Sequence, residues 1–266
     1  MKHFTSILVE LSKGCARVTL NRPDRRNAFD ALMVDELCGA FRTLGQDHSV
    51  CAIILTGNGP TFCAGADLGW MGPDRVMSAP ETQRDAERLL AMFQTIDDCP
   101  CPVIGCVQGA AYGGGIGLIA ACDIAVAAAN ATFAFSEVRL GLVPAVIAPF
   151  VLAKTGDSFA RRFCLTAEPF SASIAQDNSL IHDVVEPDAL HAHVASLAEQ
   201  ITHLAPLAVR DTKALFHRLH HLSHEERVKA CVAGNVQARL SSEAQEGLRA
   251  FRERRTPNWM MSRSGE

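Results

Sequence analysis

Two glycine-rich segments, each lying directly after a short unbroken apolar run, constrain this chain more than any other feature. Gly57-Asn58-Gly59-Pro60-Thr61-Phe62-Cys63-Ala64-Gly65-Ala66-Asp67-Leu68 follows the run from Cys51 to Thr56, and Gln108-Gly109-Ala110-Ala111-Tyr112-Gly113-Gly114-Gly115-Ile116-Gly117-Leu118 follows Val103 to Val107. Apolar runs without alternation read as strands buried on both faces, as in a sheet covered by helices. Glycine and alanine let backbone approach a ligand closely. Where such a segment opens a helix, its first N–H groups are unpaired and face outward, a geometry suited to an oxyanion. The same glycines also serve as tight turns or close helix contacts. Neither segment is a phosphate loop, since no Gly-Lys-Ser/Thr follows, and the dinucleotide pattern fails because position 118 is leucine.

The remaining pattern is α/β. Ile7 to Glu10 and Ala16 to Leu20, separated by Ser12-Lys13-Gly14, read as a hairpin. Ala31 to Leu44 and Asp85 to Ile96 have helical spacing, the apolar stretch from Gly115 to Ala121 reads as a helix, and Ile124 to Ala128 as a strand. Met71 to Thr82, with Pro73 and Pro80, reads as a mobile polar connection. From Ser158 onward strands fade, and after Pro206 the pattern is helical, with Leu207 to Leu219, Glu225 to Leu240 and Ser242 to Arg254 as candidates. The expected division is a catalytic core over 1–204 and a helical C-terminal region over 205–266.

Of the 266 residues 48% are hydrophobic and 20% charged, with a net charge of −4, which gives no field to gather nucleic acid or an anionic membrane. No export signal follows Met1-Lys2-His3 and no run is long enough to span a bilayer, so the expectation is a cytoplasmic protein whose ten scattered cysteines stay reduced. Cys99-Pro100-Cys101 lacks zinc-knuckle spacing. His217/His221 and His220/His224 stand at helical intervals, but with no third ligand evident they read as a solvated face and no metal is expected.

Four stretches in order, LNRPDRRNAF (Leu20 to Phe29), FCAGADLGWM (Phe62 to Met71), VQGAAYGGGIGLIAACD (Val107 to Asp123) and FSEVRLGLVP (Phe135 to Pro144), resemble the crotonase (enoyl-CoA hydratase/isomerase) superfamily over nearly the whole length. The resemblance implies a crotonase-like spiral of ββα units with a helical C-terminal region that forms a homotrimer or a dimer of trimers. It implies an acyl-CoA thioester substrate and no cofactor, CoA being part of the substrate. By resemblance the two oxyanion donors fall on Ala66 and Gly114, the CoA contacts on Arg26, Ala28, Ala64, Asp67 and Leu68, and the proton-transferring carboxylate on Glu137.

The two-carboxylate hydratases of that family carry a second glutamate three residues after the middle glycine, where this chain has Gly117. The closest resemblance is to bacterial methylglutaconyl-CoA hydratases of leucine and isoprenoid catabolism, through AGADLGWM, SEVRLGLVPAVIAPF and SSEAQEGLRAFRERRTPNW. That favours hydration of a branched 2-enoyl-CoA, 3-methylglutaconyl-CoA or an isoprenoid analogue, over 3-enoyl-CoA to 2-enoyl-CoA isomerisation. A non-catalytic acyl-CoA-binding protein is the alternative of another class. Ser171 to His182 lacks the family's Gly-Leu-Val turn, so a different local loop is expected there.

Overall fold

A computed structural model describes residues 4–72, 77–220 and 222–261. The chain opens with a hairpin, β1 (Ile7–Ser12) and β2 (Cys15–Leu20), turned through Lys13 and Gly14, both at positive φ. That conformation matches the twist of the strands it joins. Helix α1 (Ala31–Gln46) starts where the Asp30 carboxylate accepts from Met33 N–H, and leads to β3 (Ala52–Gly57). After the first glycine segment come a single turn, α2 (Leu68–Met71), and α3 (Ala79–Asp97). The expected mobile connection through Thr82 is therefore corrected at its end. Pro80 lies in the first helical turn, where its missing N–H costs nothing, and Glu81 accepts from Ser78 N–H to cap the helix.

Strand β4 (Val103–Val107) carries the second glycine segment, which forms β5 (Ala110–Tyr112) and α4 (Gly114–Ala120). Then follow β6 (Ile124–Ala128), β7 (Thr132–Ala134), a 3-10 turn (Glu137–Leu140) and α5 (Ala148–Thr166). Strands do not end there. β8 (Phe170–Ser171), α6 (Ala172–Asp177) and β9 (Asp183–Val185) precede α7 (Leu190–Thr202), the two strands being too short to register as apolar runs. In the divergent segment Ser179 takes a left-handed turn at φ 63° without a glycine. The described chain beyond is helical: α8 (Pro206–His220), α9 (His224–Leu240), α10 (Ser242–Glu253) and α11 (Asn258–Met261).

The main sheet runs β1-β2-β3-β4-β6-β9, antiparallel only at the hairpin, and a smaller sheet runs β5-β7-β8. Successive side chains of a strand face opposite ways. Ile53, Leu55, Val103 and Val107 join the large core with α1, α3, α4 and α5, while Ala52, Ile54, Ile104 and Cys106 pack against Leu190, Val194 and Ala198 of α7. This double burial is the cause of the unbroken apolar runs.

Helix α8 lies against this core through one face carrying Arg210, Lys213 and His217. Arg210 donates to the carbonyls of Gly45, Asp47 and Val50, Lys213 pairs with Asp123 at 2.7 Å, and His217 lies 3.5 Å from Asp98. No helix among the described residues is long and apolar enough to cross a membrane.

Candidate active site

The two glycine segments are laced together by their backbones. Phe29 N–H donates to Gly65 O (2.9 Å) and Asp67 N–H to Phe29 O (2.9 Å), while Cys63 N–H donates to Ala110 O and Tyr112 N–H to Cys63 O. Because Gly65 and Asp67 face Phe29, the Ala66 N–H between them points the other way, into a cavity that Ala66 lines. Gly65, at φ +90°, makes the junction: a β-carbon there would lie 2.8 Å from Tyr112 O and 3.1 Å from Gly114 N. Ala66 N–H and Gly114 N–H are thus neighbours, and among the described residues neither has an acceptor. Two such donors can hold one oxyanion.

Asn27, fully buried, ties down the first segment. Its amide donates to Asn58 O and Thr61 O, and its oxygen accepts from Arg22 N–H. Sequence reading missed Asn27 and Arg22, although both sit inside the LNRPDRRNAF motif.

Each glycine of the second segment is packed by one neighbour. Glu137 lies over Gly113, its Oε1 3.1 Å from where a β-carbon would be; the Phe29 ring covers Gly114; Cys63 O abuts Gly115; Ile147 and Phe93 cover Gly117. Phe93 meets Phe29 edge-on, with ring centroids 6.3 Å apart.

Glu137 begins the 3-10 turn after β7, and Leu142 N–H donates to its carbonyl. Its Oε2 is buried with no hydrogen-bond partner, and burial pushes the carboxyl above its ordinary range despite a bond from its own N–H. An unsolvated carboxylate is a better proton acceptor than one in water.

These groups line a cavity of about 530 Å³, sized for a small organic ligand. One face of α3 (Thr82, Asp85, Ala86, Leu89, Phe93) runs from its mouth to its floor. Among the described lining residues only Glu137 and Asp85 carry charge.

Of the other expected residues, two line the cavity and Arg26, Ala28 and Asp67 are not among its described lining. Ala64 and Leu68 line the cavity, Leu68 being 58% exposed. Ala28 is buried beside Phe29, and Arg26 is exposed at φ 51°, its carbonyl accepting from Ala64 N–H. Asp67 is taken up within the protein: it caps Gly69 N–H and pairs with Arg22 at 3.0 Å. Burial raises its carboxyl, but these bonds outweigh it and hold the carboxyl below its usual range.

The structure separates one of the histidine pairs read from the sequence. His220 and His224 fall on different helices, and His221 lies outside the described residues. His217 instead joins Asp97 and Asp98 where α8 meets α3.

The profile of the enoyl-CoA hydratase/isomerase family matches residues 10–262. The chain belongs to that family. The fold is the crotonase one. An enoyl-CoA hydratase structure from Shewanella pealeana superposes with a TM-score of 0.91 at 36% identity, covering 96% of each chain. The (E)-benzylidenesuccinyl-CoA hydratase of Thauera aromatica is 32% identical over 255 residues, 94% of this chain and 97% of its own. The peroxisomal Delta(3,5)-Delta(2,4)-dienoyl-CoA isomerase of Arabidopsis thaliana is 33% identical, covering 90% of each. Both reaction types thus occur among enoyl-CoA hydratase/isomerase relatives equally similar to this chain.

Proposed function

We propose that this protein hydrates a branched 2-enoyl-CoA, using one carboxylate. The observation that carries the reading is the buried, unpartnered Oε2 of Glu137 in the cavity that receives the unpaired N–H groups of Ala66 and Gly114. The thioester oxygen accepts from both N–H groups. Glu137 takes a proton from water as the water oxygen bonds to C3. The C2=C3 electrons move toward the carbonyl, giving an enolate held by the two donors. Glu137 then returns the proton to C2. One O–H bond breaks, C3–O and C2–H bonds form, and Glu137 ends as it began.

The CoA moiety lies across Arg26, Ala28, Ala64, Asp67 and Leu68, no further cofactor being needed. Of the two acyl groups considered, 3-methylglutaconyl and a longer isoprenoid analogue, an uncharged isoprenoid tail suits the described lining better. Glu137 and Asp85 supply no counter-charge, and a buried carboxylate needs one.

Isomerisation of a 3-enoyl-CoA is the second reading, favoured by Gly117, which leaves one proton carrier. A panel of 3-methylglutaconyl-CoA, an uncharged branched 2-enoyl-CoA, crotonyl-CoA and one 3-enoyl-CoA tests both. Hydration of a branched ester is expected. Double-bond migration alone would establish the isomerase, and ester binding without turnover would establish a non-catalytic acyl-CoA-binding protein.

The exposed apolar residues of the helical tail, among them Val232 (61%), Leu240 (76%) and Phe251 (85%), support a homotrimer or a dimer of trimers. None of the ten cysteines is joined in a disulfide, which fits the cytoplasm.

A further inference from the structure

Gly113 caps the N-terminus of α4, and Gly117, one turn on, donates its N–H to Gly113 O. Glu137 covers the first and Ile147 the second, and both side chains line the same cavity. Ile147 is 2% exposed and lines the cavity. It is held from both sides: Val151 N–H donates to its carbonyl at the start of α5, and Ala148 N–H donates to Pro144 O. Phe93 completes the surface, its Cε1 lying 2.9 Å from where a Gly117 β-carbon would be. No polar side chain can enter this space from Gly117.

We propose that Ile147 is the specificity-determining residue of this site: with Phe93 it gives the substrate's C3 an apolar wall and selects acyl thioesters that carry an alkyl branch there. The inference rests on the hydratase reading for the placement of the acyl chain. With the thioester oxygen between Ala66 and Gly114, and C2 within reach of the carboxylate over Gly113, the next carbon continues along α4 toward Gly117. A branch on that carbon meets Ile147 and Phe93. Ile147 and Phe93 offer no polar side-chain atom, so a water at C3 is held from Glu137.

Binding can be measured without turnover, which separates this inference from the hydratase reading. Titration calorimetry with two unreactive saturated esters, 3-methylbutyryl-CoA and butyryl-CoA, compares the branch with its absence. Burying one methyl group gives roughly a fourfold preference, and a close-fitting pocket about tenfold. The wild type is expected to bind the branched ester about fourfold to tenfold more tightly. Ile147→Ala should bring the ratio close to one with little change for butyryl-CoA, and Ile147→Val should keep most of the preference. An unchanged ratio in Ile147→Ala, or equal affinity in the wild type, overturns the proposal. So does an equal loss for both esters in Ile147→Ala, which would mark a purely structural role. The hydratase reading stands or falls separately on whether wild-type protein turns over a 2-enoyl-CoA.

Discussion

Ile147 stands in the space that any side chain at Gly117 would need, its Cβ lying 3.0 Å from where a β-carbon on Gly117 would be and its Cγ2 closer still. The two residues therefore form an interlock in which one must be small because the other is large. Gly117→Ala should destabilise the protein by about 1–3 kcal/mol through overpacking. Ile147→Ala leaves a hole and costs about 2–5 kcal/mol. The double variant should cost less than the sum, because each change removes the other's defect. Chemical denaturation of the four proteins measures this, and strict additivity would show that the contact is relieved elsewhere.

Glu137→Gln keeps the shape of the side chain and removes the proton acceptor. A fall in kcat of about 10²- to 10⁴-fold is expected, with CoA-ester affinity nearly unchanged. Near wild-type turnover would mean that another group moves the proton.

The pH dependence of Glu137 has two faces. Burial raises its carboxyl, so the acid limb of kcat/KM should fall above the ordinary carboxylate range of about 4.3. Stability runs the other way. A carboxyl raised by folding contributes stability below its unfolded pKa and loses it as pH rises through the folded value. Glu137→Gln should therefore melt higher than wild type at neutral pH, the difference vanishing in acid. A lower melting temperature at neutral pH would show that the carboxylate is stabilised by contacts rather than merely buried.

Glu36 on α1 gives the opposite sign. Burial would raise its carboxyl, but bonds from Ser6 and Thr5, through both N–H groups and both hydroxyls, bring it below the usual range. Its contribution is present above the unfolded pKa and is lost as pH falls through the lowered folded value. Glu36→Ala should cost about 2–3 kcal/mol near neutrality and much less in strong acid, as followed by thermal melts across pH. A cost independent of pH would locate the effect in packing.

For the tail, light scattering of the wild type should give the mass of three or six chains. Phe251→Asp with Leu240→Asp should lower that mass by placing charge in the apolar contact. A monomer in the wild type would contradict the proposed assembly.

The parts of the fold legible in the sequence were those whose burial pattern is local. Val103 to Val107 and Ile124 to Ala128 appear as strands over just the residues that form them, because both faces of each are covered. Asp183–Val185 escaped because three residues make no pattern until β6 lies beside them. Pro80 misled in another way, as the residue type that breaks a helix interior also opens a first turn. At the site, the glycine segments announced themselves, whereas Ile147 did not. Its importance depends on which glycine it meets, a relation across 30 positions that only folding makes visible.

The docking of α8 bears on how this protein can be cut and recombined. Lys213, 9% exposed, is the cation that meets the Asp123 carboxylate, and Arg210 supplies donors to three carbonyls around the end of α1 and the start of β3. A fragment ending before Pro206 would keep those acceptors and lose these donors, so the strand-bearing part is expected to be less stable alone than in the whole chain. A chimera that exchanges the tail for that of a relative must carry a guanidinium and an ammonium at these positions, three residues apart, or Asp123 will lose its cation and keep the Val103 N–H.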